Sequence, residues 1–319
     1  MAVIVQKHRT IPPAMPPTRM QLERRVPTST AHIFTVDVEE YFQVHAFEGV
    51  VRRNEWPSLP SRVAQNVDVL LDLLADHDVI GTFFVLGWVA DRHPQVVRRI
   101  ASAGHEIASH GWWHYRVTQL QPDEFREEVR SSKALLEDIS GQPVSGYRAP
   151  SFSITPDAQF AFDILLEEGY LYDSSVFPIR RPNYGWPGAP PIAHVIPCTN
   201  GALLEFPLAT SLWGPFRVPA AGGGYLRQLP FSVVQRAFRE HAAEGVPGVF
   251  YIHPWELDPD QPRMRVGPLT KLRHYRGLRS NRGYLERLLS EFKFTSVAGR
   301  LAEGQVRIGA ALPAPSAAS

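Results

Sequence analysis

Strand-like and helix-like segments alternate along the 319 residues, and this alternation predicts an α/β fold with a parallel sheet or barrel. Parallel neighbours need a crossover connection, and a helix is the usual one. A second observation narrows the choice. Asp37, His110, Arg148, Asp173 and His253 each stand at or just beyond the C-terminal end of an expected strand, which in a barrel is the catalytic face. Third, 44% hydrophobic residues over this length supply a large core for one catalytic domain, placed at 31–302.

The run HIFTVDV at 32–38 has the β-branched and aromatic content of a buried strand, and acids gather at its end: Asp37, Glu39 and Glu40. Ser61 offers an N-cap for a helix through His77, in which Val63, Val67, Leu70, Leu71 and Leu74 recur at helical period. A strand is expected over 80–86. Pro94 starts a second helix that Gly104 stops, and HEIAS at 105–109 is the next short strand. Gln121 and Pro122 open a third helix that closes at Gly141, ahead of a strand ending in Tyr147-Arg148-Ala149-Pro150. Thr155 and Pro156 make a cap and first turn for a fourth helix reaching Gly169, and YLYDSS supplies another strand. Residues 178–200, rich in Pro, Gly and aromatics, are expected to be an irregular insertion lining a cleft. Strand character resumes at 203–208. The run Gly222-Gly223-Gly224 lacks the Lys-Ser/Thr pair of a phosphate loop and reads as a turn or the tight wall of a site. A helix from Phe231, the strand GVFYIH at 248–253, a helix around 284–290 and a strand at 292–297 complete the domain, leaving 303–319 as a flexible tail.

With 33 basic and 32 acidic residues the net charge is +1, and no basic stripe interrupts that balance, so nucleic acid is not an expected partner. Cys198 is the sole cysteine, which excludes an intramolecular disulfide and a thiolate metal cage. Residues 1–30 carry Pro12, Pro13, Pro16, Pro17 and scattered Arg, the composition of a disordered basic arm capable of transient contact with an acidic membrane surface. They lack the apolar stretch of a signal peptide, and no later segment has the ~20 apolar residues of a transmembrane helix, so a cytoplasmic location is expected. Nothing in the sequence fixes an oligomeric state.

The chemical residues begin with Ser109-His110-Gly111-Trp112-Trp113-His114. In a helical turn the two imidazoles would share one face and grip a single ion. A catalytic zinc site takes about three protein ligands from His and carboxylates and leaves one position open. His110, His114 and one acid after the first strand would supply that set. Strand periodicity puts Asp37 and Glu39 on one face, so that one holds the metal while the other takes a proton, and a turn could bring in Glu40 instead. Among the tryptophans, Trp186 and Trp213 are the first candidates for stacking on a sugar.

TVDVEEY, SHGWWH, YRAPSFSI and FYIHPWELDP occur in the order of the motifs of the polysaccharide deacetylase family, carbohydrate esterase family four, and the chain resembles that family over about 32–300. LLEFPLAT, PAAGGGYLRQLP, HPWELDPDQP and RHYRGL resemble the C-terminal extension, from about residue 180, of a branch found beside exopolysaccharide and exosortase loci. The resemblance implies a distorted (β/α) barrel of seven strands that removes N-acetyl groups from amino sugars of an N-acetylated oligo- or polysaccharide with a divalent metal, zinc being the first choice. It implies His110 and His114 as metal ligands, Asp37 as general base, Arg148 as the group that orients it, and His253 as general acid. More loosely it implies Asp173 as the acid that partners His253. Val38 stands where the common pattern has a second Asp, which carries the carboxylate ligand to Glu39, with Glu40 as the alternative. Two other readings share these motifs: an allantoinase-like amidohydrolase of cyclic ureides that dispenses with a metal, and a non-catalytic glycan-binding barrel.

Overall fold

The computed structural model describes residues 30–181, 184–304 and 306–312. The expected arm, save Thr30, and residues 313–319 of the expected tail lie outside them. β1 (His32–Val38) is buried at every position, its polar His32, Thr35 and Asp37 included, as a strand covered on both faces requires. β2 (Thr82–Val85), β3 (Glu106–Ser109), β4 (Gly146–Tyr147) and β5 (Tyr172–Asp173) follow it as successive parallel neighbours. β6 (His194–Cys198) and β7 (Gly201–Glu205) form an antiparallel hairpin, and β7 joins β5 in parallel. β8 (Thr210–Trp213) and β9 (Phe216–Pro219) make a separate two-stranded ribbon. On its other side β1 pairs in parallel with β10 (Val249–Ile252) and, at its start, with β11 (Phe294–Thr295).

Along the path β10-β1-β2-β3-β4-β5-β7, seven strands are therefore mutually parallel. A parallel bridge between Leu208 and Val249, with Ala209 N–H donating to the Val249 carbonyl at 3.0 Å, returns the chain beyond β7 to β10. The two sides of the sheet meet at that point, and this curvature lets side chains from non-adjacent strands converge in the interior.

Helices fill the crossovers. α1 (Val63–Asp76) buries Val63, Val67, Leu70 and Leu74 of the predicted stripe, with Leu71 half-buried and Leu73 buried instead. Full burial of each such side chain is worth about 1.5–3 kcal/mol. The cap differs from expectation: the Ser61 hydroxyl donates to Glu40, and the Glu40 carboxylate accepts the Arg62 and Val63 backbone N–H groups. α2 (Gly87–Arg92) and α3 (Pro94–Ser102) precede β3. α4 (Pro122–Ser140) ends on Gly141, whose φ of +66° suits glycine in the left-handed region. α5 (Phe160–Glu167) leads to β5.

The insertion contains more regular structure than its composition suggests. β6 carries Pro197 and is an outer strand, the position where a missing N–H does not break a central ladder. α6 (Gly223–Gln228) and α7 (Phe231–Ala243) lead into β10. α8 (Pro268–Tyr275), α9 (Leu278–Glu291) and, after β11, α10 (Val297–Ala302) close the chain. Part of the expected tail is held: Gly309 and Leu312 N–H groups donate to Ala193 and Val195 carbonyls, and Leu312 is buried. Among the described residues no helix is long and apolar enough to cross a membrane.

Candidate active site

Asp37 sits near the end of β1, His110 follows β3, Arg148 follows β4 and His253 follows β10, so four strand ends deliver their side chains to one face. A cleft of about 510 Å³ there is lined by Asp37, Glu39, His110, His114 and His253. Arg148 lies beneath it, fully buried.

The two histidines of SHGWWH meet, although not on a helix. The segment is an irregular loop in which Gly111 (φ +72°) and His114 (φ +56°) both take left-handed backbone, folding the chain back so that the ring centroids lie 5.5 Å apart. Left-handed backbone in a non-glycine residue is costly and persists only where surrounding contacts enforce it. Those contacts are present. The Glu128 carboxylate of α4 accepts the Trp112 and Trp113 N–H groups at 2.8 and 3.0 Å, and Arg53 donates to the Trp113 and His114 carbonyls. Gly87 and Trp88 N–H groups take the Gly111 and Trp112 carbonyls. A Cβ at Gly87 would stand 2.8 Å from the Trp112 ring, so α2 can approach this loop only with glycine there. Ser151 and Phe152, which also line the cleft, share the left-handed conformation.

Ligand atoms of Glu39, His110 and His114 all lie within 4.8 Å of one another, and all three residues are buried. His110 Nδ1 lies 2.8 Å from the Arg148 carbonyl, which fixes Nδ1 as the protonated nitrogen and turns Nε2 toward the cleft. His114 Nε2 is 2.7 Å from Glu39 Oε2, while Glu39 Oε1 accepts from the Trp255 indole at 3.2 Å. Two imidazole nitrogens and one carboxylate, with His110 and Glu39 each oriented by a further hydrogen bond, are a donor set that fits a divalent cation. Glu40 is not part of it, because its carboxylate is committed to the start of α1.

Electrostatics follow this geometry. Burial opposes the charge on Glu39, but His114, His253 and His110 outweigh it and hold the carboxyl near 2. Burial, only partly offset by Asp37, lowers His110 to about 4, so its ring is neutral, as a ligand must be. Arg148 spends its guanidinium on Asp37 Oδ1 and Thr35 Oγ1, both at 2.7 Å, and on Ser174 O and Oγ at 3.0 and 2.8 Å. Asp37 Oδ2 is left facing His253, 4.0 Å from Nε2.

His253 has a partner that sequence reasoning missed. Its Nδ1 lies 3.1 Å from Glu256 Oε2, and Arg227 holds the other oxygen of that carboxylate at 3.1 Å. Burial disfavours the imidazolium, yet Glu39, Glu256 and Asp37 together raise His253 to about 9. The expectation that Asp173 partners His253 is corrected: Asp173 stands opposite Glu205 in the β5–β7 register and accepts from Ser175 N–H and Oγ–H. Burial raises both carboxyls of that pair. The glycine run is a tight wall, since a Cβ at Gly223 would stand 2.3 Å from Glu256 Oε2 and one at Gly222 would stand 2.5 Å from the Tyr251 ring. Trp186 packs on Phe162 in the core and Trp213 lies on the β8–β9 ribbon, so neither faces the cleft. Trp255 does, stacked on His253 with ring centroids 5.0 Å apart.

Two families match the chain. Residues 58–163 match the family described as Polysaccharide deacetylase, and residues 174–302 match one described as a domain of unknown function, DUF3473. A peptidoglycan-N-acetylglucosamine deacetylase of Bacillus cereus is 35% identical over 81 residues, 25% of this chain and 30% of the relative. A chitooligosaccharide deacetylase of Rhizobium leguminosarum bv. trifolii is 40% identical over 63 residues, 20% of this chain and 29% of the relative. The chain thus spans about a third or less of the length of these relatives. A solved structure described as a polysaccharide deacetylase from Mycobacterium smegmatis superimposes with a TM-score of 0.58 at 21% identity, covering 88% of this chain and 92% of that one, a likeness of fold.

Proposed function

We propose, for a chain that belongs to the polysaccharide deacetylase family, carbohydrate esterase family four, that it is a metal-dependent hydrolase removing N-acetyl groups from amino sugars of an exopolysaccharide or its precursor. The observation that carries this reading is the convergence of the Glu39, His110 and His114 ligand atoms within 4.8 Å, in a cleft that also holds Asp37 and His253. Glu39, His110 and His114 would hold a divalent ion, zinc being the first choice. When bound, such an ion polarises a carbonyl and stabilises negative charge developing on its oxygen.

The chain's own groups supply the proton transfers. Asp37, oriented through Oδ1 by Arg148, offers Oδ2 as the base that takes a proton from the attacking water. His253, held through Nδ1 by Glu256 and kept charged by the surrounding carboxylates, presents Nε2–H to the departing nitrogen. The new C–O bond forms first, and the amide C–N bond breaks once its nitrogen takes a proton. One proton leaves water for Asp37, another leaves the imidazolium for the amine, and the acetic acid released gives up its remaining proton to solvent, so the products are acetate and a free amino sugar. Tyr251 and Tyr184 offer aromatic faces along the cleft for the sugar ring. The exopolysaccharide assignment draws on the resemblance of residues 203–278 to the exopolysaccharide-locus branch.

Acetate release from a panel of N-acetylated oligosaccharides, measured before chelation, after it and after zinc is restored, tests the proposal. Release that chelation abolishes and zinc restores is expected. Release indifferent to chelation would favour a metal-free amidohydrolase, and no release from any member of the panel would favour a glycan-binding barrel.

A further inference from the structure

A second cleft opens beside the catalytic one and shares Tyr184, Tyr251 and Arg273 with it. Arg181, Tyr225 and Gln228 complete its side-chain wall, so the lining carries two guanidinium groups and no carboxylate. The Tyr184 and Tyr225 hydroxyls lie 3.2 Å apart and form a phenolic floor, beside which Arg181 lines the same wall. Arg273 is anchored by its backbone: its carbonyl accepts from Arg227 at 3.2 Å and from Gln228 at 3.0 Å, while its side chain is exposed. Neither Arg181 nor Arg273 has a carboxylate partner among the described residues. The buried arginines beside them contrast sharply, since Arg148 is neutralised by Asp37 and Arg227 by Glu256. Two cations on one concave, donor-rich wall attract an anion, and guanidinium matches carboxylate or phosphate in bidentate geometry.

We propose that this cleft, whose lining residues all fall within the matched segment of unknown function at 174–302, is a subsite for an anionic group, carboxylate or phosphate, on the unit next to the acetamido sugar. The inference deepens the deacetylase reading and rests on it for the identity of the neighbouring sugar. Tyr251 links the two sites physically: it lines both, and its ring stands 5.6 Å from that of His253. The anion would thus bind beside the proposed general acid.

The test uses the full chain and three probes: a neutral N-acetylglucosamine tetramer, a tetrasaccharide alternating N-acetylglucosamine with glucuronate, and N-acetylglucosamine joined through diphosphate to a short prenol. Affinities are read by stopped-flow fluorescence before turnover, in dilute buffer and in about 0.5 M salt, where charges are screened within a few ångströms. At least one anionic probe is expected to bind about tenfold or more tighter than the neutral one at low salt, a charged hydrogen bond being worth about that factor. That ratio should fall toward one in high salt, in Arg273→Gln and in the Arg181→Gln/Arg273→Gln double variant. Preference for glucuronate alone would assign the carboxylate source, and preference for diphosphate alone the phosphate source. A ratio near one in the unaltered chain, or a ratio that the double variant leaves intact, would overturn the subsite. Acetate release measured in parallel separates the two readings. No acetate with the ratio intact removes the deacetylase and keeps the anion site, whereas acetate with a ratio of one does the reverse.

Discussion

Replacing Arg148 by methionine keeps side-chain bulk and removes the guanidinium. In the native protein Arg148 is fully buried, its head group donates four hydrogen bonds of 2.7–3.0 Å, and its carbon lies 4.1 Å from the Phe84 ring centroid. Asp37, at 2% exposure, has no other cation so close, so Arg148→Met strands a carboxylate together with the Ser174 carbonyl. Breaking a buried ion pair from one side costs about 3–5 kcal/mol, most of it the unpaired charge. Removing that charge as well, with Asp37→Asn in the same chain, should return part of the loss and give a coupling of about 1–3 kcal/mol. Urea unfolding of the metal-free protein reads this without a contribution from ion binding. A single-variant loss under about 1 kcal/mol, or losses that simply add, would refute the claim that the pair is electrostatically committed.

Other outcomes follow from the same geometry. His253→Ala should lower kcat by about 10²- to 10⁴-fold with a smaller change in KM, as expected for loss of a general acid. Glu256→Gln removes one of the charges that raise His253 to about 9, so the alkaline fall in kcat should begin at lower pH; an unmoved limb would deny Glu256 its positioning role. Glu40→Ala should cost about 1–2 kcal/mol through the lost α1 cap, read by thermal or urea unfolding. His32 Nδ1 accepts the Gly248 N–H at 3.0 Å and His105 Nδ1 the Gly81 N–H at 3.1 Å, so both rings must be neutral in the fold. Burial, helped at His32 by His241 and Arg300, lowers these groups to about 3 and about 4, against about 6.5 unfolded. Below pH 6.5 the unfolded chain binds protons that the folded one refuses. Stability is therefore complete above 6.5 and lost as pH falls toward 4 and then 3, with His32 alone contributing about 2 kcal/mol of loss at pH 5. Equal stability at pH 7.5 and 5 would contradict this.

The sequence makes the strand ends legible because buried parallel strands are near-continuous apolar runs, so a polar residue at the end of one stands out. Asp37, His110, Arg148 and His253 are found that way, and all four converge. Periodicity says less about backbone that departs from it. The i, i+4 spacing of His110 and His114 suggests a helix, yet the rings meet because Gly111 and His114 turn left-handed, a state set by Glu128 and Arg53 from distant segments. Asp173 shares the strand-end signature, but its β7 neighbour Glu205 turns it into a buried carboxyl pair, and strand pairing between distant segments is invisible to local pattern. Glu256 had a local signal, lying three residues past His253 across Pro254, the spacing at which a short helical turn lets a carboxylate reach back to the backbone N–H. β6 and the β8–β9 ribbon were masked by Pro and Gly, which outer strands and turns tolerate.

The central claim is that Glu39, His110 and His114 form one divalent-metal centre while Glu40 serves only the fold. The number of zinc ions retained per chain after dialysis, measured by atomic emission on folded Glu39→Gln, His114→Ala and Glu40→Gln variants beside the unaltered protein, tests it most directly. One ion per chain is predicted for the unaltered protein and for Glu40→Gln, with loss of the ion from Glu39→Gln and His114→Ala. Equal retention in all four, or loss from Glu40→Gln with retention in Glu39→Gln, would contradict the account.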